Sequence, residues 1–479
     1  MSIRKKTVQG ITWAGISQVS KQGFQLIITA ILARLLVPSD FGLLGMATVF
    51  TGFAAVISEF GISSALIQKQ EITEIHLSSS FWVNIIFGIL LTLFFILCSP
   101  FIAAFYNKPE LTLIIKIISF NFLFSSLMVV PQAILTKNLD FKRLMIRDLV
   151  SVIISGLFAV LLAFKGYGVW SLVIQSLVFT LVNCFSLWLL TSWRPRAILS
   201  WMALKEISKF SIFMVGFNSI NYFARNLDFL LIGKFLGDGP LGFYSLAYKL
   251  MLVPLQNVSG VITRVIFPVF SKVQNDAKKL ILGYLHLLKA VSILAFPVML
   301  GLFVLTDVFV KVVFGDKWIA ITPIVKLLCF SGLAQAIGGQ LTGNIRLSKG
   351  RAGLHFRLGL LHALLTAASI IVALANGIFW IVFTLTLFNV AWSFYTNYIT
   401  LPLINLKMRK YFSSLKSIFL SSLVMVLSIS IVLLFLKQSN IFTLVILIVF
   451  GLLVYIFSLV YFKQIVFIEG KPQIAFEND

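Results

Sequence analysis

Runs of about twenty apolar residues, separated by short polar turns, constrain this chain more than any other feature. Inside hydrocarbon each backbone polar group must be paired within its own segment, so such runs fold as helices. Fourteen candidate spans can be read, over 9–35, 41–66, 79–105, 111–135, 147–165, 168–191, 209–236, 241–268, 282–306, 319–343, 353–375, 377–401, 413–436 and 440–462. The breaks carry turn chemistry, as in Val37-Pro38-Ser39-Asp40, Asn107-Lys108-Pro109, Lys165-Gly166-Tyr167-Gly168, Gly237-Asp238-Gly239-Pro240 and Asn376-Gly377. No connecting loop is long enough to be a folded domain. The expected fold class is an all-α polytopic membrane protein with 14 transmembrane helices.

Composition agrees. The chain is 59% hydrophobic and 11% charged, where a soluble domain has about 45–50% and about 25%. The 47 phenylalanines and the low charge fraction exclude disorder. Cys98, Cys184 and Cys329 lie inside apolar runs without disulfide or metal spacing, and the four histidines show no metal spacing either. No cofactor is expected. The basic start, with Arg4, Lys5 and Lys6, leads into a run too long and too polar for a cleaved signal peptide. It reads as the first span, with its N-terminus in the cytoplasm.

A net charge of +23 is unusual for such a greasy chain. Cytoplasmic loops of membrane proteins are rich in Lys and Arg. Alternate loops collect 25 of the 39 basic residues on the cytoplasmic side, Arg147 and Arg346 among them, and five on the other. Both termini are therefore expected in the cytoplasm. Orientation and anionic membrane lipids account for the loop charge, so nucleic acid is not expected as a partner.

An internal repeat organises the spans. At an offset of 200, Leu36–Ala47 lies over Leu236–Ala247, with Gly42 over Gly242. At an offset of 210, Thr112–Phe120 lies over Thr322–Phe330, with Lys116 over Lys326. Six spans per copy is an even number, so both copies insert the same way and are related by a parallel pseudo-two-fold axis. The expected domains are 1–193 (N-lobe, spans 1–6), 194–208 (a cytoplasmic amphipathic linker), 209–406 (C-lobe, spans 7–12) and 407–479 (spans 13 and 14 with a cytoplasmic tail).

Apart from residues at span edges that are counted with the loops, nine basic residues fall within the expected spans: Lys21, Arg34, Lys116, Arg225, Lys234, Lys249, Arg264, Lys289 and Lys326. Glu59 and Asp228 are the clear acids there. Charges at membrane depth pair, face a cavity or reach back to the interface. Snorkelling or end-anchoring suits Arg34, Lys116, Lys234, Lys289, Lys326 and, less well, Arg264. Lys21, Arg225 and Lys249 are deeper. Gln18, Lys21 and Gln25 share one face of span 1, and Asn218, Asn221, Arg225 and Asp228 share one face of span 7. The two stripes coincide at the offset of 200. They read as two walls of one polar cavity, to which Lys249 and Arg264 add charge; interhelical hydrogen bonding is the plainer alternative. Asp228 either neutralises Arg225 or acts as the titrating or cation-binding group of an H+- or Na+-coupled carrier, and Glu59 has the same two readings. A cationic cavity calls for an anion. Pyrophosphate suits Lys and Arg, and Gln and Asn suit sugars, so a lipid-tailed anionic amphiphile fits best.

Leu35-Leu36-Val37-Pro38-Ser39-Asp40-Phe41-Gly42-Leu43, followed by Glu59-Phe60-Gly61-Ile62-Ser63-Ser64-Ala65-Leu66-Ile67-Gln68, resembles the start of polysaccharide-exporting flippases of the multidrug/oligosaccharidyl-lipid/polysaccharide exporter superfamily. Exporters of the colanic acid and teichuronic acid type are the nearest look-alikes. The resemblance implies two six-helix lobes in a V and alternating access. It implies a polyprenyl-pyrophosphate-linked oligosaccharide as cargo, for lipopolysaccharide or exopolysaccharide synthesis, with polymerase or assembly proteins as partners. It would place Lys21, Glu59, Arg225, Asp228 and Lys249 in the central cavity. It also suggests that spans 13 and 14 form a groove for the lipid tail.

Two other functions compete. A cation-coupled multidrug antiporter shares this fold, but surplus positive charge repels the cations such carriers export. A membrane glycosyltransferase or polymerase acting on lipid-linked sugars would need placed carboxylates or a large outer loop; the outer loops are short and poor in acids, so no enzyme is expected.

Overall fold

The computed structural model describes residues 3–58, 63, 66–67, 72–272, 276–436, 440–462, 464–468 and 471–474. Side chains are described throughout these except at 3–12, 14, 16–17, 55–58, 203, 206–221, 224, 256–272, 277, 340 and 465–474.

The described chain is almost wholly helical. The first half comprises α1 (Ile3–Leu35), α2 (Pro38–Ser58), α3 (Glu74–Tyr106), α4 (Glu110–Ser126), α5 (Val129–Lys137), α6 (Phe141–Phe164), α7 (Val169–Leu190) and α8 (Trp201–Leu236). The second comprises α9 (Asp238–Lys272), α10 (Ala277–Phe309), α11 (Thr322–Ala334), α12 (Gln340–Ser348), α13 (Ala352–Ala373), α14 (Ile378–Thr400), α15 (Met408–Phe435) and α16 (Ile441–Tyr461). The expected all-α class has one small departure, a hairpin near the C-terminus in which β1 (Ile465–Ile468) pairs antiparallel with β2 (Lys471–Ile474).

Among the described residues nine helical stretches are long and apolar enough to cross a membrane, or ten if the pair α4/α5, bent by 45°, is one span. Their outward faces are greasy: Leu434 is 83% exposed, Phe442 75% and Phe457 74%. Helices so apolar on the outside are stable only against lipid.

By packing, the chain divides into Met1–Gly242 and Phe243–Asp479. This division falls one helix later than the expected lobe edge at 193/194. The expected linker 194–208 is also interrupted, because α8 already begins at Trp201. Residues 191–200 form an irregular strap held to the start of α3. The Arg196 N–H donates to Ser78 Oγ (3.0 Å) and the Ser200 N–H to Ser79 Oγ (2.8 Å), while Trp82 Nε1 donates to the Arg196 carbonyl (2.8 Å). Ser78 and Ser79 are fully buried. Their hydroxyls therefore satisfy backbone donors that would otherwise be orphaned.

In the first unit, α3 packs on α4, α6 on α7 and on α1, and α2 on α8. Ile28 and Leu32 of α1, with Leu36 just beyond it, meet Val152, Ala159 and Ala163 of α6. A Cβ at Gly156 would strike Ile28, so α1 and α6 approach closely there. The starts of α2 and α9 also meet. A Cβ at Gly42 would collide with the Asp238 carbonyl, and one at Gly242 with the Pro38 carbonyl. Pro38 and Asp238, like Gly42 and Gly242, are 200 positions apart, so the two contacts are reciprocal at that offset. Gly237, with φ +86°, is the single residue between α8 and α9, a left-handed position that glycine occupies without steric cost. Lys108 ties this corner with an ion pair to Asp238 at 2.7 Å.

In the second unit, α10 packs on α11, α15 and α16, and α11 and α13 pack on α14. Between α11 and α12, residues Gln335–Gly339 form one π-helical turn. This break follows α11 as the bend before α5 follows α4.

Candidate functional site

Packing of α1 on α6 sets the geometry of the deepest basic residue of the first span. Lys21 Nζ lies 3.5 Å from Asp148 Oδ2 and 5.4 Å from the centroid of the Phe179 ring. Asp148 Oδ1 also accepts from Arg147, at 2.7 Å from Nη2 and 3.0 Å from Nε. Arg147 Nη1 then donates to Gln132 Oε1 on α5 at 3.1 Å. One carboxylate thus serves two cations, and the cluster keeps one net positive charge. The side chain of Lys21 is 36% exposed, against 9% for Arg147. Lys21 is therefore the member that a ligand can reach, and Arg147 is the buried anchor.

This arrangement corrects two sequence expectations. Glu59 and Asp228 are not the only acids that matter at depth, since Asp148 is the partner of Lys21. Arg147 is not a solvated loop residue; it is buried at 8% exposure. The signal is present in the sequence, because Asp148 is an acid at the start of a span that opens among basic residues. Placing the span edge at 147 obscures it.

Gln18 is exposed and Gln25 half-buried on α1. On α8, Arg225 is exposed, while Asp228 is buried and its Oδ1 accepts from the Phe229 N–H at 2.9 Å. α8 is fixed to α2 close by. The Tyr222 hydroxyl donates to the Thr48 carbonyl at 3.0 Å, and the rings of Phe53 and Phe223 are 4.4 Å apart. Lys249, on α9 in the second unit, is half-buried. The side chains of Asn218, Asn221 and Arg264, and all of Glu59, lie outside the described residues.

The end-anchor expectations divide. Lys234 donates to the Phe105 carbonyl and sits 4.8 Å above that ring, as an anchored end should. Lys326 forms an ion pair with Asp307 at 2.6 Å. Lys289, by contrast, is only 6% exposed, too deeply covered for a snorkelling side chain. Arg346, expected in a cytoplasmic loop, is buried at 4%. Its Nη1 donates to Thr400 Oγ1 at 2.7 Å, and its Nη2 lies 3.4 Å from His355 Nδ1. Among the described residues no group of His, Cys, Asp and Glu is arranged to hold a metal ion.

A family described as polysaccharide biosynthesis protein matches residues 31–323. The chain is 32% identical over 383 residues to the lipopolysaccharide biosynthesis protein WzxC of Escherichia coli (strain K12), covering 78% of this chain and 76% of that one. It is 29% identical over 393 residues to the teichuronic acid biosynthesis protein TuaB of Bacillus subtilis (strain 168), covering 82% and 80%. Among solved structures it is similar to the lipid II flippase MurJ in an inward closed conformation. The TM-score is 0.74 at 17% identity, over 95% of this chain and 99% of that one, a likeness of fold. With its apolar helices, its MurJ-like fold and these relatives, this integral membrane chain belongs to the polysaccharide biosynthesis protein family.

Proposed function

We propose that this protein is a flippase of the multidrug/oligosaccharidyl-lipid/polysaccharide superfamily. It moves a polyprenyl-pyrophosphate-linked oligosaccharide repeat unit from the cytoplasmic to the outer leaflet by alternating access, for surface polysaccharide synthesis. The observation that carries the reading is the Lys21–Arg147–Asp148 cluster. It leaves one uncompensated cation, on an accessible side chain, in a family named for polysaccharide biosynthesis. A pyrophosphate headgroup complements that charge, and a drug cation does not. The cluster positions the headgroup and catalyses no bond change; the protein acts as a carrier, not an enzyme.

In this reading the chain crosses a bacterial cytoplasmic membrane fourteen times with both termini inside. The spans form two six-helix copies related by a parallel pseudo-two-fold axis, plus two C-terminal helices. The reciprocal Gly42–Asp238 and Gly242–Pro38 contacts support the repeat, as do the matching breaks after α4 and α11. Lys21, Gln18, Gln25, Arg225, Asn218, Asn221, Lys249 and Arg264 contact the cargo, and Asp228 and Glu59 balance charge or couple to H+ or Na+. Membrane lipids and the polymerase of the same pathway are the partners.

A deletion strain tests the proposal. Loss of one surface polymer, with its lipid-linked repeat unit accumulating on the inner leaflet, is expected. Complementation by Lys21→Ala or Arg225→Ala should restore export poorly. Normal polymer with raised drug sensitivity would overturn the reading in favour of a multidrug antiporter. Full-rate export by both variants would remove the charge argument.

A further inference from the structure

The second unit buries a full positive charge that no described carboxylate answers. Arg346 is 4% exposed, near the C-terminal end of α12. Its two terminal nitrogens face neutral groups, Thr400 Oγ1 and His355 Nδ1. Its Nε–H is buried without a hydrogen-bond partner. Tyr284 of α10, 0% exposed, also has a buried hydroxyl without a partner. This phenol lies within electrostatic reach of Arg346. Of the acids described in this unit, Asp276 pairs with Lys279 at the start of α10 and Asp307 pairs with Lys326. Asp316 opens the 3-10 turn that precedes α11. No ion pair in the described residues reaches Arg346.

An arginine cannot shed its proton to escape burial. An uncompensated buried charge is strongly destabilising. What the site lacks is acceptor capacity and negative charge: a guanidinium N–H and a phenolic O–H both have nothing to donate to. Water would supply an acceptor but no charge. The near-complete burial of both side chains leaves no route for a bulky phosphate or sugar headgroup. A compact monovalent anion satisfies every condition.

We propose that Arg346 and Tyr284 form a binding site for a halide-sized anion, chloride under cellular conditions, which joins α10 to α12 and α14. The anion is structural and is distinct from any cargo bound near Lys21.

The test uses the purified full-length protein in detergent, with its thermal unfolding followed by tryptophan fluorescence. Sodium chloride is exchanged for sodium gluconate at constant ionic strength. Chloride should raise the melting temperature saturably, by about 2–4 °C, and bromide should substitute for it. Tyr284→Phe should lower the chloride affinity about tenfold. Arg346→Leu should abolish the shift. An absent chloride effect on the unaltered protein would overturn the proposal. So would a shift that both variants keep in full, since the anion would then sit elsewhere. If Arg346→Leu does not fold, Tyr284→Phe decides alone, by keeping or losing the affinity.

Discussion

Each unit buries an arginine beside a broken helix, and the two surround it differently. In the first unit Arg147 reaches from α6 to Gln132 on α5 and shares Asp148 with Lys21. In the second, Arg346 stands on α12 itself and leans on the hydroxyl of Thr400. α5 follows the bend after α4, and α12 follows the π-helical turn after α11. The first charge is closed within the protein, so the surplus passes to the half-exposed Lys21. The second has no such outlet and remains buried. Similar broken-helix corners therefore leave surplus charge on a half-exposed side chain in one unit and enclose it in the other.

The sharpest way to break this contrast is Asp148→Asn. It strands two cations, one of them buried, and should lower stability by about 3 kcal/mol, read as a lowered unfolding midpoint in detergent. An unchanged midpoint would mean that Arg147 is not closed by Asp148. Next comes a paired measurement. Thr400→Val removes the short hydrogen bond of Arg346 and should cost about 2 kcal/mol. Gln132→Leu leaves Arg147 its carboxylate and should cost about 1 kcal/mol. Equal losses would erase the asymmetry. Lys21→Ala should alter stability by less than about 1 kcal/mol, because the side chain is partly solvated. Its effect should instead appear as slowed polymer export.

The smallest effect concerns a device that both units share. α6 and α10 are each capped by an aspartate that accepts a backbone N–H three residues on, Asp140 from Arg143 and Asp276 from Lys279. That backbone bond, with the Lys279 ammonium, holds the Asp276 carboxyl below its ordinary range. A depressed carboxylate stabilises the fold above its unfolded pKa and loses that contribution as pH falls through the folded one. Hydrogen exchange of the first-turn amides of α10 should therefore speed up on acidification below the ordinary carboxylate range. Asp276→Asn should flatten that dependence, because it keeps the cap and drops the charge.

Much of this fold is legible in the residues themselves. Asn107-Lys108-Pro109, Lys165-Gly166-Tyr167-Gly168 and Asn376-Gly377 all stand at helix breaks, because left-handed or proline positions end helices by local sterics alone. The depth of a charge is less legible. Arg147 and Arg346 look like interface residues when basic residues are counted by loop, and Lys289 looks like a snorkelling one. Counting registers which side of the membrane a charge is on, not whether protein covers it. Lys21 stands out as a charge well inside an expected span, but its partner Asp148 belongs to another span far along the chain. Helix packing alone brings them together. The linker is hard to see for a related reason: the strap's hold on Ser78 and Ser79 is a tertiary fact, and α8 starts where that hold ends.

The crossing of Gly42 and Gly242 has an evolutionary consequence. Each glycine is required by a main-chain carbonyl beside the other, and a carbonyl is the same whatever side chain its residue carries. No second-site change of residue type at Pro38 or Asp238 can make room for a methyl group. Relatives of this chain are thus expected to hold both positions invariant and not to trade them against each other. A search for covarying pairs would pass over this contact, although it is among the tightest in the molecule.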